Sequence, residues 1–380
     1  RGRPVVKMPA LGLNEEFAAL FGEILDACGY DLEIAMPSRP RIAAHLASSG
    51  TGDFCYPIKV AMASARVVCE DDPGCRVLLP HLVQDLRNPS IHPRSLYCPF
   101  ISALPSLAAD RASEGRVFSP VIDLNASPPD MAREIHRVLV GNGMPAPHPR
   151  RLRKALERGM SSLRRYRTEV SERLGRILEE LGPDRRVIVL FGRPYNLYHP
   201  ILNLGIPELV ESLGYPAVTL DAVADDVGDH EVCRLFPDMY WTQGLKILRK
   251  AMSVRKRPNL FPLMISNFSC GPDSFVLTYF EEVCRGKPYL ILELDEHGFA
   301  TGYQTRIEAF LDMIEQYSPP AGRRPADPGR RRIRYGLSDI PRDTTVWIPQ
   351  IHPYTPQMWA AVLAARGVDA RPLGAETQAE

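Results

Sequence analysis

Residues 187–221 read VIVLFGRPYNLYHPILNLGIPELVESLGYPAVTLD, and this stretch decides the fold class. Val187–Phe191 is a continuous apolar run, the pattern of a strand buried on both faces. Gly192, Arg193, Pro194, Tyr195 and Asn196 follow with turn chemistry. Leu209, Val210 and Leu213 then share a helical face that stops at Gly214, and AVTLD at 217–221 returns as a strand. The order strand, Pro-containing loop, helix, glycine, strand specifies a βαβ unit, whose crossover packs back onto a parallel sheet.

The same order recurs on either side. Val5–Met8 precedes Phe17, Leu20, Phe21, Ile24 and Cys28, which repeat at helical spacing behind Asn14 and stop at Gly29. TTVWIP at 344–349 leads to a helix around Met358–Ala365, then Gly367 and VDARPL. Three copies imply internal duplication, and the third stops at Glu380 before a domain is complete. With Arg1 in place of Met, this ending reads as a fragment or processed chain. Between the first two copies, Leu152, Leu156, Leu163, Tyr166, Val170, Leu174 and Ile177 or Leu178 form an apolar helical stripe with a charged opposite face. Residues 318–342 are Pro-, Gly- and Arg-rich without periodicity. The expected architecture is α/β: two Rossmann-like parallel-sheet domains facing each other across a cleft, plus the start of a third similar unit. Domain 1–145 is followed by a linking helix at 146–186, domain 187–317, a linker at 318–343 and the further unit at 344–380.

Composition narrows the function classes. The 380 residues are 45% hydrophobic and 24% charged with formal net charge +1, without the basic excess of a polyanion-binding domain, so nucleic acid is not expected. The best apolar run, Val187–Phe191, falls far short of the roughly 18 residues a membrane span needs. No segment has the charged, apolar, small-residue order of a signal peptide, so a cytoplasmic protein is expected. A P-loop, a helix-opening G-x-G-x-x-G, H-E-x-x-H and G-x-S-x-G are all missing. Eight cysteines are too few for a disulfide scaffold, and in a reducing compartment any special ones would be ligands or redox groups.

Three cysteines differ from the other five. Cys55 stands in CYP, Cys98 in CP and Cys270 in CGP, each one or two residues before a proline that suits the first turn of a helix. Sulfur at such an entry meets free backbone N–H groups and the positive end of the helix dipole, which favour thiolate. The gaps of 43 and 172 residues contain no C-x-x-C clip. One reading is three buried structural thiols. The other is three cluster ligands, which would leave one corner of a cubane open for chemistry. Cys28 belongs to a helix's apolar face, and Cys69, Cys75, Cys233 and Cys284 lack the proline context.

RIAAHLASSGTGDFCYPIKVAMA (41–63), LLPHLVQDL (78–86), YCPFISALPSL (97–107), the 187–221 stretch, MYWTQGLKILRKA (239–251), LMISNFSCGPDSFVLTYFEE (263–282) and PYLILELDEHGFATGYQTRIEAFLD (288–312) form successive blocks. They resemble the 2-hydroxyacyl-CoA dehydratase-related family, and more narrowly the uncharacterised domain of CoA-substrate enzyme activase-related proteins of anaerobes. The resemblance spans about Pro4 to Tyr317 and resumes at Thr344. It implies Rossmann-like domains around a 4Fe-4S cluster held by Cys55, Cys98 and Cys270. It also implies a separate activase-type ATPase partner that injects a low-potential electron, and radical chemistry on an acyl-CoA thioester. Two departures from the family pattern are Met62–Ala65 and His199.

Other residues carry two readings each. Arg193 could grip a phosphate or CoA carboxamide, with Asn196 beside it, at the carboxyl end of a strand where open α/β sheets bind ligands; a plain turn is the alternative. Glu293, Asp295 and His297 alternate and would share one strand face, as an O,O,N metal or proton-transfer set or as a solvated strand end. Thr305 and Glu308 read as a capping box, leaving Arg306 to face the cleft. Ser269 and Asp273 flank Cys270, able to hydrogen-bond near a cluster or, for Asp273, to complement a helix N-terminus. Three functions follow: an iron-sulfur protein of the acyl-CoA dehydratase or reductase type, a non-catalytic scaffold docking an activase-type ATPase, and a metal-dependent hydrolase built on Glu293, Asp295 and His297.

Overall fold

The computed structural model describes residues 2–11, 13–48, 54–87, 94–108, 115–296, 300–318, 340–341, 343–349 and 354–373. The chain divides into two compact units, 1–328 and 329–380. The first half of the larger unit contains β1 (Val5–Pro9), α1 (Ala18–Cys28), β2 (Asp31–Ala35), α2 (Arg39–Ser48), α3 (Tyr56–Asp71), β3 (Arg76–Leu78), β4 (His81–Gln84), α4 (Pro99–Ala108), β5 (Val117–Phe118), β6 (Val121–Asp123) and α5 (Pro128–Gly141). The long helix α6 (Pro149–Glu180) follows. The second half contains β7 (Val187–Gly192), α7 (Pro194–Tyr198), α8 (Ile206–Ser212), β8 (Ala217–Thr219), α9 (Asp229–Leu235), α10 (Thr242–Arg255), β9 (Leu260–Asn267), α11 (Gly271–Cys284), β10 (Leu290–Leu294) and α12 (Ala300–Gln316). The smaller unit is β11 (Val346–Ile348), α13 (Thr355–Ala364) and β12 (Ala370–Pro372).

The fold is α/β, and every pairing between these strands is parallel. The larger unit holds two four-stranded sheets, ordered β2-β1-β3-β5 and β8-β7-β9-β10. Taken in chain order, the two sequences of strands are the same, and β4 and β6 form a separate pair. In β7 and β9 every residue is buried, which is why both read as unbroken apolar runs instead of alternating ones.

Helix α1 buries Leu20, Phe21, Ile24, Leu25 and Cys28 and ends at Gly29 with φ +84°. There Gly29 N–H donates to Asp26 O and Tyr30 N–H to Leu25 O, closing the last carbonyls. Along α6, Leu152, Leu156, Met160 and Leu163 join the first hydrophobic core, and Leu174 and Leu178 pack on the second. The helix is therefore a shared wall as well as a connection. The halves also meet at a strand-like bridge, where Leu96 N–H donates to Tyr240 O at 2.9 Å and Thr242 N–H to Leu96 O at 3.0 Å. Lys59 on α3 reaches Glu296 after β10 at 2.8 Å.

Two local readings change. The GRPYN stretch is not an open turn: Gly192 closes β7 and Pro194 starts the five-residue α7, because proline's fixed φ and missing N–H suit a first helical turn. Thr305 and Glu308 do not form a capping box, since α12 already begins at Ala300. Thr305 Oγ1 donates to Thr301 O at 3.1 Å, and Glu308 accepts from Gln304 at 2.8 Å. Ile307, Phe310, Leu311 and Ile314 do face the core. Most of the linker stretch 318–343 lies outside the described residues. Among the described residues no helix is long and apolar enough to cross a membrane.

Gly159 on α6 sits where a Cβ would meet Leu20 Cδ1 at 2.8 Å, Leu20 O at 2.9 Å and Leu20 Cα at 3.0 Å. Helix propensity alone favours Gly159→Ala by about 1 kcal/mol. Overpacking against backbone costs roughly 1–3 kcal/mol. Urea unfolding of Gly159→Ala is expected to show a lowered midpoint; a raised midpoint would mean that α1 and α6 are not this close.

Candidate functional site

Each of the three singled-out cysteines stands at the entry of a different helix. Cys55 is the N-cap of α3 and Cys270 the N-cap of α11, both with extended backbone and neither helix capped by a side-chain hydrogen bond. Cys98 immediately precedes α4, and its carbonyl accepts Ser102 N–H at 3.0 Å. All three are buried, and all three line one pocket with Leu11, Leu13, Pro80 and Tyr195. The pocket measures about 40 Å³, room for a few waters and far below the 300–1,000 Å³ of organic-ligand sites.

The topology explains the convergence. In the first sheet the chain leaves β1 to one side for β2 and returns on the other side as β3, so a crevice opens beyond the carboxyl ends of β1 and β3. Leu11, Leu13 and Pro80 follow those strands directly. In the second sheet β7 and β9 define the same crevice, and Tyr195, Ser269 and Cys270 follow them. The pocket is thus built from the switch points of both sheets.

Beneath Cys270 lies a buried polar network. Arg193 and Asp273 are each 1% exposed. Arg193 Nε donates to Asp273 Oδ1 at 2.9 Å; Nη2 lies 2.7 Å from the same oxygen but off the line of its N–H bonds, so its donor is unspent. Ser266 Oγ donates to Asp273 Oδ2 at 2.8 Å. Asn196 donates to Ile265 O at 3.1 Å and accepts from Asn267 at 2.9 Å. Gly192 allows this crowding: a Cβ there would meet Ile265 O at 2.7 Å, and its φ is +157°. Ser269 is exposed with φ +62°, a left-handed conformation that serine rarely adopts, and it turns the chain into Cys270.

Burial dominates the ionisation of the site. It pushes the Cys55 thiol up to about 11 against the pull of the Ile58 N–H. The Cys270 thiol is pushed further, by burial and then by the Asp273 charge, with Arg193 opposing. Burial likewise holds Tyr195 neutral. For Arg193 burial works against the charge, and Asp273, Tyr195 and Cys270 together more than offset it, Asp273 foremost.

The family described as the CoA enzyme activase uncharacterised domain matches residues 9–223, more than half of the chain. The chain belongs to that family. Cys55, Cys98 and the GRPYN segment lie inside the matched residues, and Cys270 lies beyond them. No curated protein matches the chain. Among solved structures, the C-terminal domain of glucosamine-fructose-6-phosphate aminotransferase from Francisella tularensis is 10% identical, covering 83% of this chain and 85% of that one, with a TM-score of 0.22. Tagatose-6-phosphate ketose/aldose isomerase from Escherichia coli is 12% identical, covering 84% of each chain, with a TM-score of 0.19. Scores this low transfer neither fold nor function.

The remaining candidates are dispersed. Arg193 and Asn196 are buried in the network above, and Asp273 is Arg193's partner. Glu293 is exposed on β10 and Asp295 is half-buried after it, while His297 lies outside the described residues. Arg306 donates to Ile291 O at 2.7 Å from an exposed position. Among the described residues no group of three His, Cys, Asp or Glu side chains is placed to hold a metal ion. Cys28 packs in the first core, Cys69 and Cys75 in a small cluster of their own, and Cys284 in the second core. The sequence named Arg193 and Asp273 separately and missed their pairing. The signal was present: an arginine directly after a fully apolar strand cannot stay buried without an acid.

Two outcomes follow. Asp273→Asn leaves the Arg193 cation buried without its counter-charge, an expected loss of about 3–5 kcal/mol in urea unfolding; a loss under 1 kcal/mol would mean that Arg193 escapes to solvent. The raised Cys55 thiol stabilises the fold fully below its unfolded value near 9, and that contribution disappears as pH rises to about 11. Stability of Cys55→Ala measured between pH 9 and 11 is therefore expected to fall less steeply than that of the unaltered chain; parallel curves would count against a buried thiol.

Proposed function

We propose that the chain is an iron-sulfur protein of the 2-hydroxyacyl-CoA dehydratase type, with Cys55, Cys98 and Cys270 holding a 4Fe-4S cluster. It carries a low-potential electron received from an activase-type ATPase. One observation carries the reading: three cysteines, 43 and 172 residues apart, stand at the entries of three helices and line one pocket. Bound there, the cluster supplies a one-electron redox step.

The donor set suits such a group. Thiolates of a cluster bind different irons, so they need not converge on the single point that an isolated ion demands. Helix N-termini offer N–H groups and positive potential to anionic sulfur, which burial alone disfavours. Arg193 adds a fixed positive charge beside Cys270 and Cys55, with Asp273 limiting it. Tyr195 closes a wall of the pocket as a neutral phenol. An acyl-CoA thioester is too large for this pocket, so a substrate would approach from outside it.

A second reading is a non-catalytic scaffold that docks an activase-type ATPase and merely buries these thiols. The raised thiol values favour it. Iron and acid-labile sulfide analysis of anaerobically purified protein separates the two. About four of each per chain are expected, with loss of the brown chromophore in Cys55→Ser, Cys98→Ser or Cys270→Ser and its retention in Cys69→Ser, Cys75→Ser, Cys233→Ser and Cys284→Ser. Protein without iron after anaerobic reconstitution leaves the scaffold reading.

A further inference from the structure

The ion pair of Arg193 and Asp273 is not built as a simple tie between strand and helix would be. An arginine and a carboxylate that only hold two elements together are best paired two on two, each nitrogen facing its own oxygen. Here both Arg193 contacts fall on Asp273 Oδ1: Nε donates to it at 2.9 Å, and Nη2, 2.7 Å away but off line, has no hydrogen-bond partner among the described residues. The other oxygen, Oδ2, is taken by Ser266 Oγ at 2.8 Å. A buried donor without an acceptor is unfavourable, so this arrangement costs stability that a two-on-two pair would keep.

The pair stands directly behind the thiol pocket. Arg193 is the N-cap of α7, two residues before Tyr195, which lines that pocket, and Asp273 lies in the first turn of α11, three residues after Cys270. Each is 1% exposed. Neither lines the thiol pocket or the larger cavity of about 600 Å³ beside Pro194 and Tyr198, so both charges act through protein and not through water. A charge in that medium is weakly screened. Burial dominates the ionisation of both thiols, but between the two charges Asp273 outweighs Arg193 at Cys270, whereas Arg193 outweighs Asp273 at Cys55. The sulfur site therefore meets two opposed charges and not one neutral unit.

We propose that Arg193 and Asp273 set the reduction potential of the group held by Cys55, Cys98 and Cys270, with Arg193 raising it and Asp273 lowering it. This rests on the iron-sulfur reading and adds to it the residues that tune its electron affinity. The step is one electron, supplied by the activase-type ATPase, and it breaks no bond and moves no proton. It places one more negative charge at the sulfur site, which a buried cation stabilises and a buried anion opposes. Ser266, by donating to Asp273, tempers the anion.

Redox titration of the anaerobically reconstituted full chain, followed by the electron paramagnetic resonance of its reduced form, tests this. Asp273→Asn should raise the midpoint potential and Arg193→Met should lower it, each by about tenfold in the reduction equilibrium, about 59 mV for one electron. Ser266→Ala keeps both charges but leaves the carboxylate less satisfied, and it should lower the potential by a smaller amount. A merely structural role predicts a different pattern: loosening admits water, which favours the more highly charged reduced form and raises the potential in every variant. Shifts of one sign throughout, or no shift, overturn the proposal. Should Asp273→Asn and Arg193→Met fail to fold, Ser266→Ala decides, a downward shift supporting the proposal and an unchanged or raised potential overturning it. An unaltered chain without iron removes the iron-sulfur reading and this inference together, whereas a cluster whose potential ignores the pair removes this inference alone.

Discussion

A guanidinium and a carboxylate buried together, Arg193 and Asp273, hold the rest of the site in place. Arg193 leaves the end of β7, and Asp273 is the third residue of α11, so the pair ties a central strand to the helix that begins after its neighbour β9. Cys270 caps that helix three residues earlier and cannot move far without stretching the pair. Burying either charge alone would be prohibitive. Ser266 donates to Asp273 and Asn267 to Asn196, leaving Arg193 Nη2 and Asn267 Oδ1 unpaired, and the missing side chain of Gly192 lets the strand ends approach closely enough for these bonds to form.

The duplicated strand order turns that local clamp into a site. Each sheet opens a crevice where its chain reverses direction across the sheet, and one crevice alone would be a shallow notch. Because the halves are joined through α6, the Leu96 bridge to Tyr240 and Thr242, and Lys59 with Glu296, the two crevices share a pocket. The 193–198 segment then serves as a partition. Its Tyr195 side is apolar and sulfur-lined, and its Tyr198 side opens on a charged cavity an order of magnitude larger.

How much of this was legible depends on the range of the interaction. The runs at 187–191 and 260–265 announce central strands because burial on both faces demands unbroken apolar sequence. Gly29 marks the end of α1 because only the left-handed conformation closes it. Strands β3 and β5, three and two residues long, carry too little pattern to be seen. The start of α12 was read five residues late, at Thr305; the turn before it carries Tyr303, which packs on the second core. At the site, proline context picked out the three cysteines that line one pocket. The pairing of Arg193 with Asp273 spans 80 residues and has no local signature.

The choice of cysteine at these helix entries is itself informative. Ser, Thr, Asp and Asn cap a helix well because their oxygens accept the free N–H groups, and losing such a cap costs about 0.5–2 kcal/mol. A thiol is a poor acceptor. This chain uses the better chemistry elsewhere: the Ser127 side chain accepts Asp130 N–H at the start of α5, and His148 accepts Arg150 N–H at the start of α6. At α3 and α11 it places cysteines that make no cap bond and that burial keeps protonated. Stability alone would put serine or aspartate there. Three helix entries that forgo a side-chain oxygen, all lining one pocket, are a cost that a purely structural role does not explain. The helix dipoles at these entries favour anionic sulfur, which is the feature that the proposed sulfur-ligated group would use.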